Sequence, residues 1–261
     1  ATTLLVTLGF ASEANAQVPL ENFFKNPEKA GYQISPDGKY FSYMAPYENR
    51  LNLFVQEVGS DKATRITSET VRDLAGSMWA NGHRILYIKD TAGDENFQLY
   101  GVNVDGTDSK AYTAFPKVRT TIIDPLENID SLVIIGLNKR NPQVFDPYRL
   151  NLNNGELTQL AENPGNIQGW MTDHNGKLRV ALAIVDGVNT QILYRETEEQ
   201  PFRPVLTTNF KETVSFATFT PDNKMVYALT NIGRDKTALV LMDPATCEEK
   251  EVLYTLSLIH I

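Results

Sequence analysis

The chain has 261 residues, of which 42% are hydrophobic, 10% aromatic and 21% charged. These are proportions of a folded globular protein and exclude a disordered tail, a collagen and a coiled coil. With 24 Lys and Arg against 32 Asp and Glu, the formal charge is −8, and no basic run exists to track a phosphate backbone, so nucleic acid is not an expected partner. The single cysteine, Cys247, has no partner for an internal disulfide. No Cys pair or close His and Cys group has the spacing of a structural zinc site, and no cofactor is expected.

From the amino end, Leu4 to Phe10 is a short apolar run, followed by small residues ending in Ala14-Asn15-Ala16. This is the pattern of a secretory signal and its cleavage site, too short to span a bilayer. Residues 1–16 are therefore expected to be a signal remnant, Gln17 the first mature residue, and the protein periplasmic or secreted. Residues 17–33 form a lead-in, in which Pro19 to Pro27 reads as one short helix closed by Pro27.

From Ile34 onward, helical periodicity gives way to runs of 4 to 8 β-branched and aromatic residues between Gly, Pro, Asn and Asp turns. Examples are Tyr40 to Ala45, Leu51 to Val58, Arg84 to Ile88, Leu132 to Leu137, Leu178 to Val185 and Ala238 to Met242. One turn recurs with markers Asp37, Asn81, Asn128, Asn175 and Asp222, at steps of 44, 47, 47 and 47 residues. Gly and Asn suit such turns because tight hairpins need positive φ. A period of this size with four strands per unit predicts an all-β chain, a β-propeller of four-stranded antiparallel blades. Five blades are expected at 34–67, 73–115, 120–163, 166–209 and 212–255. Because an open propeller leaves strand edges and blade faces bare, they are expected to be part of a larger ring of seven or eight. Residues 256–261, Leu-Ser-Leu-Ile-His-Ile, resemble the in-frame translation of a sequencing adapter and are expected to be foreign, with the native chain continuing past Thr255.

Three stretches carry a resemblance. Glu21-Asn22-Phe23-Phe24-Lys25-Asn26-Pro27-Glu28 leads into Ile34-Ser35-Pro36-Asp37-Gly38-Lys39-Tyr40, Gly93-Asp94-Glu95-Asn96 forms a loop, and Arg140-Asn141-Pro142-Gln143-Val144-Phe145-Asp146-Pro147-Tyr148 forms a further segment. Together, over about Pro19 to Thr255, they resemble the N-terminal propeller of secreted bacterial serine peptidases of the prolyl oligopeptidase family, in the acylaminoacyl-peptidase and dipeptidyl-peptidase-like branches. The resemblance implies a propeller that gates access of short peptides to an α/β-hydrolase domain bearing a Ser, Asp and His triad. No G-x-S-x-G elbow occurs among these residues, and the only histidines are His83, His174 and His260. No catalytic residue is therefore assigned and the 261 residues by themselves are expected to be inactive.

If each blade runs from inner strand a to outer strand d, the a-to-b and c-to-d turns share one face and the b-to-c loops emerge on the other. Asp94, Glu95, Arg140 and Arg234 lie in those b-to-c loops and are the candidate gating or interdomain residues. Asp94 or Glu95 could meet a peptide amine, and Arg140 a carbonyl or an interdomain carboxylate, through its fixed fork of donors. The competing reading makes them solvated loop charges, with Asp94 capping its own loop. Trp79 and Trp170 occupy equivalent places before a-to-b turns and are expected to pack between blades. Asp105-Gly106-Thr107-Asp108 reads as a hairpin turn, too short for a calcium loop. Two other functions compete. One is a periplasmic protein-binding propeller of the Tol-system type, which the short lead-in disfavours. The other is a lactonase-like metal enzyme, which the scarcity of His disfavours.

Overall fold

A computed structural model describes residues 18–25 and 27–255. The expected signal at 1–16 and the adapter-like tail at 256–261 lie outside the described residues. Ahead of the first strand, Leu20–Phe23 forms a single turn of 3-10 helix, with Phe23 and Phe24 exposed.

Twenty strands follow, arranged as five four-stranded antiparallel sheets with no crossover. Blade 1 comprises β1 (Ala30–Ile34), β2 (Tyr40–Tyr47), β3 (Arg50–Glu57) and β4 (Ala63–Arg65). Blade 2 comprises β5 (Gly76–Asn81), β6 (Arg84–Lys89), β7 (Gln98–Asn103) and β8 (Lys110–Ala111). Blade 3 comprises β9 (Thr120–Asp124), β10 (Leu132–Asn141), β11 (Val144–Asn151) and β12 (Leu157–Gln159). Blade 4 comprises β13 (Ile167–Thr172), β14 (Leu178–Val185), β15 (Asn189–Tyr194) and β16 (Arg203–Thr208). Blade 5 comprises β17 (Val214–Phe219), β18 (Val226–Thr230), β19 (Ala238–Met242) and β20 (Glu249–Thr255). The chain is an all-β propeller built from meander sheets. Its first sheet begins at Ala30 rather than at the expected Ile34, because Ala30 and Gln33 already pair with Met44 and Ser42.

The repeated turn is built the same way at both ends of the arc. Ser35 Oγ donates to Asp37 Oδ1 at 2.7 Å and Thr220 Oγ1 to Asp222 Oδ1 at 2.6 Å. The next-but-one backbone N–H groups, Lys39 and Lys224, donate to the same carboxylates at 3.2 Å. These bonds hold both carboxyls below the usual carboxylate range, with the Ser35 and Thr220 hydroxyls the leading cause. Gly38 at φ 71° and Asn223 at φ 59° take the left-handed step that the turn requires.

First strands lie beside first strands, β1 with β5 and β9 with β13, which makes them the inner strands. Each inner strand departs from ladder register at least once against its partner. Such bulges bend the strand and re-aim its side chains, and they are frequent beside binding sites.

Alternation along the strands supplies the packing. In β18, Val226, Ala228 and Thr230 are buried while Tyr227 and Leu229 face the other way. The apolar clusters accordingly lie between blades. Leu53 and Val55 meet Ile85, Tyr87 and Val102 between blades 1 and 2. Leu86 and Leu99 meet Val133, Ile135 and Leu137 between blades 2 and 3. Val180, Ile192 and Tyr194 meet Phe219, Val226 and Val240 between blades 4 and 5. Burying side chains of this size stabilises by roughly 1.5–3 kcal/mol each. Trp79 joins the cluster between blades 1 and 2.

Candidate functional site

The antiparallel order places the b-to-c loops and the d-to-a connections at one end of every blade. Asp94, Glu95, Arg140 and Arg234 stand at that end, on blades 2, 2, 3 and 5. The structure does not bring them into one cluster.

Asp94 organises its own loop. Its Oδ1 accepts from the Thr91 and Asn96 backbone N–H groups at 3.2 and 3.1 Å, and its Oδ2 from the Asn96 side-chain amide at 3.2 Å. The Asn96 amide is the leading reason that this carboxyl lies below the usual range. Glu95 sits beside it at φ 57°, a left-handed conformation that costs an ordinary L-residue about 1 kcal/mol or more. Its N–H is tied to Asp90 Oδ2 at 3.2 Å. The strained backbone presents the Glu95 carboxylate to solvent at the rim.

Arg140 makes a two-pronged pair with Asp146. Nε and Nη2 donate to separate carboxylate oxygens at 2.9 and 3.0 Å, and Nη2 also donates to the Asn163 carbonyl at 2.7 Å. The Asp146 bond is the main reason the guanidinium is pushed above its ordinary value. Asp146 is fully buried and also accepts the Asn163 N–H at 2.7 Å. The Asn163 side chain then ties the next blade. Its carbonyl oxygen accepts from Gly165 N and Ile167 N at 2.9 and 3.1 Å, and its amide donates to Ile167 O at 3.0 Å. Arg234 pairs with Glu249 at 2.5 Å within blade 5. Its other terminal nitrogen is buried without a hydrogen-bond partner.

Sequence reasoning did not find the cavity these ties enclose. Between blades 3 and 4 lies a groove of about 450 Å³, lined by Thr121, Ile123, Gln143, Phe145, Gln168, Trp170 and their neighbours. No apolar cluster bridges these two blades among the described residues, since the local cluster of Ile167, Ala181 and Ala183 with Trp170, Leu193 and Phe202 belongs to blade 4 alone. Polar links join them instead. Arg149 Nη2 donates to Gly176 O at 2.8 Å and to Glu198 Oε1 at 2.7 Å, Arg195 reaches Leu160 O at 3.2 Å, and Thr172 bonds Asp124. These directional bonds join the two blades without an interdigitating apolar layer between them, and the groove is the space left unfilled. Trp170 stacks obliquely on Phe202 at 5.6 Å and forms one wall.

On the opposite face, His174 Nε2 lies 2.9 Å from Phe219 O and ties blade 4 to blade 5. Asp105 closes its hairpin by accepting from Thr107 N at 2.9 Å. Among the described residues, no group of three His, Cys, Asp or Glu is placed to hold a metal ion, and no helix is long and apolar enough to cross a membrane.

The chain is 31% identical over 239 residues to dipeptidyl aminopeptidase BIII of Pseudoxanthomonas mexicana, an alignment covering 88% of this chain and 34% of that protein. It is 27% identical over 272 residues to dipeptidyl peptidase family member 6 of Caenorhabditis elegans, covering 97% of this chain and 36% of that one. By sequence the chain is similar to dipeptidyl peptidases. The chain spans about a third of the length of the curated relatives it matches. Its fold is that of the propeller in a prolyl endopeptidase structure, with TM-score 0.63, 11% identity, and coverage of 89% of this chain and 36% of that one. Oligopeptidase B of Leishmania major gives TM-score 0.57 at 10% identity, covering 87% and 34%. No family model matches the chain.

Proposed function

We propose that this propeller is the gating domain of an exported serine peptidase that hydrolyses short peptides. The observation that carries the proposal is the 31% identity to a dipeptidyl aminopeptidase along 88% of the chain, within only 34% of that relative's length. The α/β-hydrolase domain with its Ser, Asp and His triad then lies in sequence outside these 261 residues, and the present residues contribute access control rather than bond cleavage. The last six residues are foreign to the native protein in this reading, and residues 1–16 direct export. A ring of more than five blades belongs to the same proposal, supported by exposed apolar residues such as Ile34 on blade 1 and Leu229 on blade 5.

At the rim, Glu95 is the side chain proposed to meet a peptide amine, supported by its strained backbone and free carboxylate. Arg234 is proposed as the interdomain cation, supported by its place in a b-to-c loop at the same end of the blades as Glu95. Asp94 and Arg140 support the rim by fixing their loops. The protein-binding propeller of the Tol-system type is the weaker alternative, because the relatives found by sequence are peptidases.

The test is to read the gene past the Thr255 codon, express the whole product and assay it on aminoacyl-dipeptide reporters with and without a serine-directed fluorophosphonate. An in-frame G-x-S-x-G, downstream Asp and His, and fluorophosphonate-sensitive hydrolysis are expected. A stop codon soon after the fifth blade, or a closed ring with no hydrolase, overturns the reading.

A further inference from the structure

We propose that the groove between blades 3 and 4 binds the uncharged middle of an extended peptide, gripping its main-chain amides rather than its charged ends. The inference deepens the peptidase reading and rests on it for the choice of a peptide as ligand. The site itself is argued from the groove.

Its volume of about 450 Å³ lies within the range of ordinary ligand sites. The twelve lining residues include no Asp, Glu, Lys, Arg or His. A charged terminus would lose its hydration there with no counter-charge in return, whereas a neutral chain would not. The inner strands β9 and β13 end their sheets, so each is hydrogen-bonded along one edge and offers main-chain N–H and C=O groups along the other. Gln143 and Gln168 stand exposed at the lining, and a side-chain amide carries both donors and an acceptor, the complement of a peptide group. Trp170 and Phe145 supply apolar walls for side chains on alternate residues.

Gly169 is the most telling lining residue. It lies inside strand β13, and a Cβ built there would meet only Leu182 Cβ, at 3.7 Å, an ordinary contact. Neither a positive φ nor crowding demands glycine at a position where it weakens the strand. The register shifts between Ile167 and Gly169, so the glycine sits at a bulge, and its missing side chain leaves that bulged edge open to the close approach of another backbone. The two walls of the groove are also tied to each other. Hydrogen bonds run from Arg140 through Asp146 and Asn163 to Ile167 and so link both walls, an arrangement that lowers the ordering cost of binding.

The test uses the 261-residue chain and its two tryptophans, Trp79 and Trp170. Trp79→Phe removes an indole N–H that is buried without a partner and leaves Trp170 as the only indole reporter. An N-acetylated, C-amidated alanine pentapeptide is titrated while Trp170 emission is read. The amide shifts of Gly165 and Gly169 are followed in the unsubstituted chain, so that the result does not depend on Trp79→Phe. Saturable binding is expected. The pair Gln143→Ala and Gln168→Ala should weaken it about tenfold or more, the effect of losing two modest hydrogen bonds. Gly169→Ala, which the fold accommodates, should also weaken it with an unfolding midpoint no lower than that of the unsubstituted chain. The proposal is overturned by an absent response, by equal affinity in the variants, or by saturation with neutral maltotriose but not with the peptide. Binding is read without hydrolysis, so failure here leaves the reporter assay of the full gene product to decide the peptidase reading separately.

Discussion

Arg140 and Asp146 face each other across the β10 and β11 hairpin, with two guanidinium nitrogens on two carboxylate oxygens at 2.9 and 3.0 Å. The same buried carboxylate accepts the Asn163 backbone N–H at 2.7 Å. A residue that reads in sequence as a free cation at the rim is thus half of a clamp joining blade 3 to the connection into blade 4. Asp146→Ala leaves the buried Asn163 N–H without an acceptor and should cost about 1–3 kcal/mol. Urea unfolding measures it, and an unchanged midpoint would show that the clamp is energetically idle. Arg140→Ala should destabilise at least as much, because it leaves the fully buried Asp146 carboxylate without its counter-charge.

Gly136 should not tolerate a side chain. A Cβ there would lie 2.6 Å from Thr121 Oγ1 and 3.4 Å from Phe145 Cβ, and Thr121 is β-branched and stiff. Gly136→Ala should cost about 1–3 kcal/mol through overpacking. Adding Thr121→Ala removes the colliding oxygen and should restore most of that loss. Without such rescue in the double variant, the collision is not the cause.

Alkaline pH should expose the Tyr194 environment. Burial, followed by the hydrogen bond to Glu196, pushes its phenol up to about 12 from 10.0. Below pH 10 the phenol is protonated in folded and unfolded chains alike and contributes no pH dependence. Between about pH 10 and 12 the unfolded phenol ionises while the folded one does not, so stability falls, by up to about 2–3 kcal/mol at 1.36 kcal/mol per unit. Tyr194→Phe should flatten that part of the curve. It should leave the smaller slopes expected from Tyr87, Tyr112 and Tyr148, which are also raised by burial.

Cys247 should be a sluggish thiol. Burial, reinforced by the Asp243 charge, pushes it up to about 11, and the thiolate is the reacting form. Iodoacetamide at pH 8 should modify the native chain far more slowly than the urea-unfolded chain. Equal rates would place the thiol in open solvent.

The fold was legible because its signals are local. The Asp37 and Asp222 turns are made by residues within five positions of each other, and strands such as Leu178–Val185 and Ala238–Met242 are set by β-branched side chains between turn residues. A repeated local pattern with a constant period leaves a propeller as the economical solution, whatever its ligand. The start of the first sheet at Ala30 was hidden because Gly31 and the bulge at its neighbour interrupt the alternation by which strands are recognised.

The candidate site was legible only as loops. Chain order alone shows that Asp94, Glu95, Arg140 and Arg234 share one end of the blades, since antiparallel meanders admit no other arrangement. Whether each charge is free or engaged depends on partners such as Glu162 and Asn163 for Arg140, and on Glu249 for Arg234. The groove between blades 3 and 4 draws its lining from β9, β11 and β13, which no local pattern links. By itself the sequence determined the strand repeat, the turn chemistry and the family resemblance, because these rest on near-neighbour propensities and identities. Only the tertiary structure decided which interblade space stays open, because that depends on how whole sheets fill the volume between them and on where long-range hydrogen bonds, rather than packed side chains, join them.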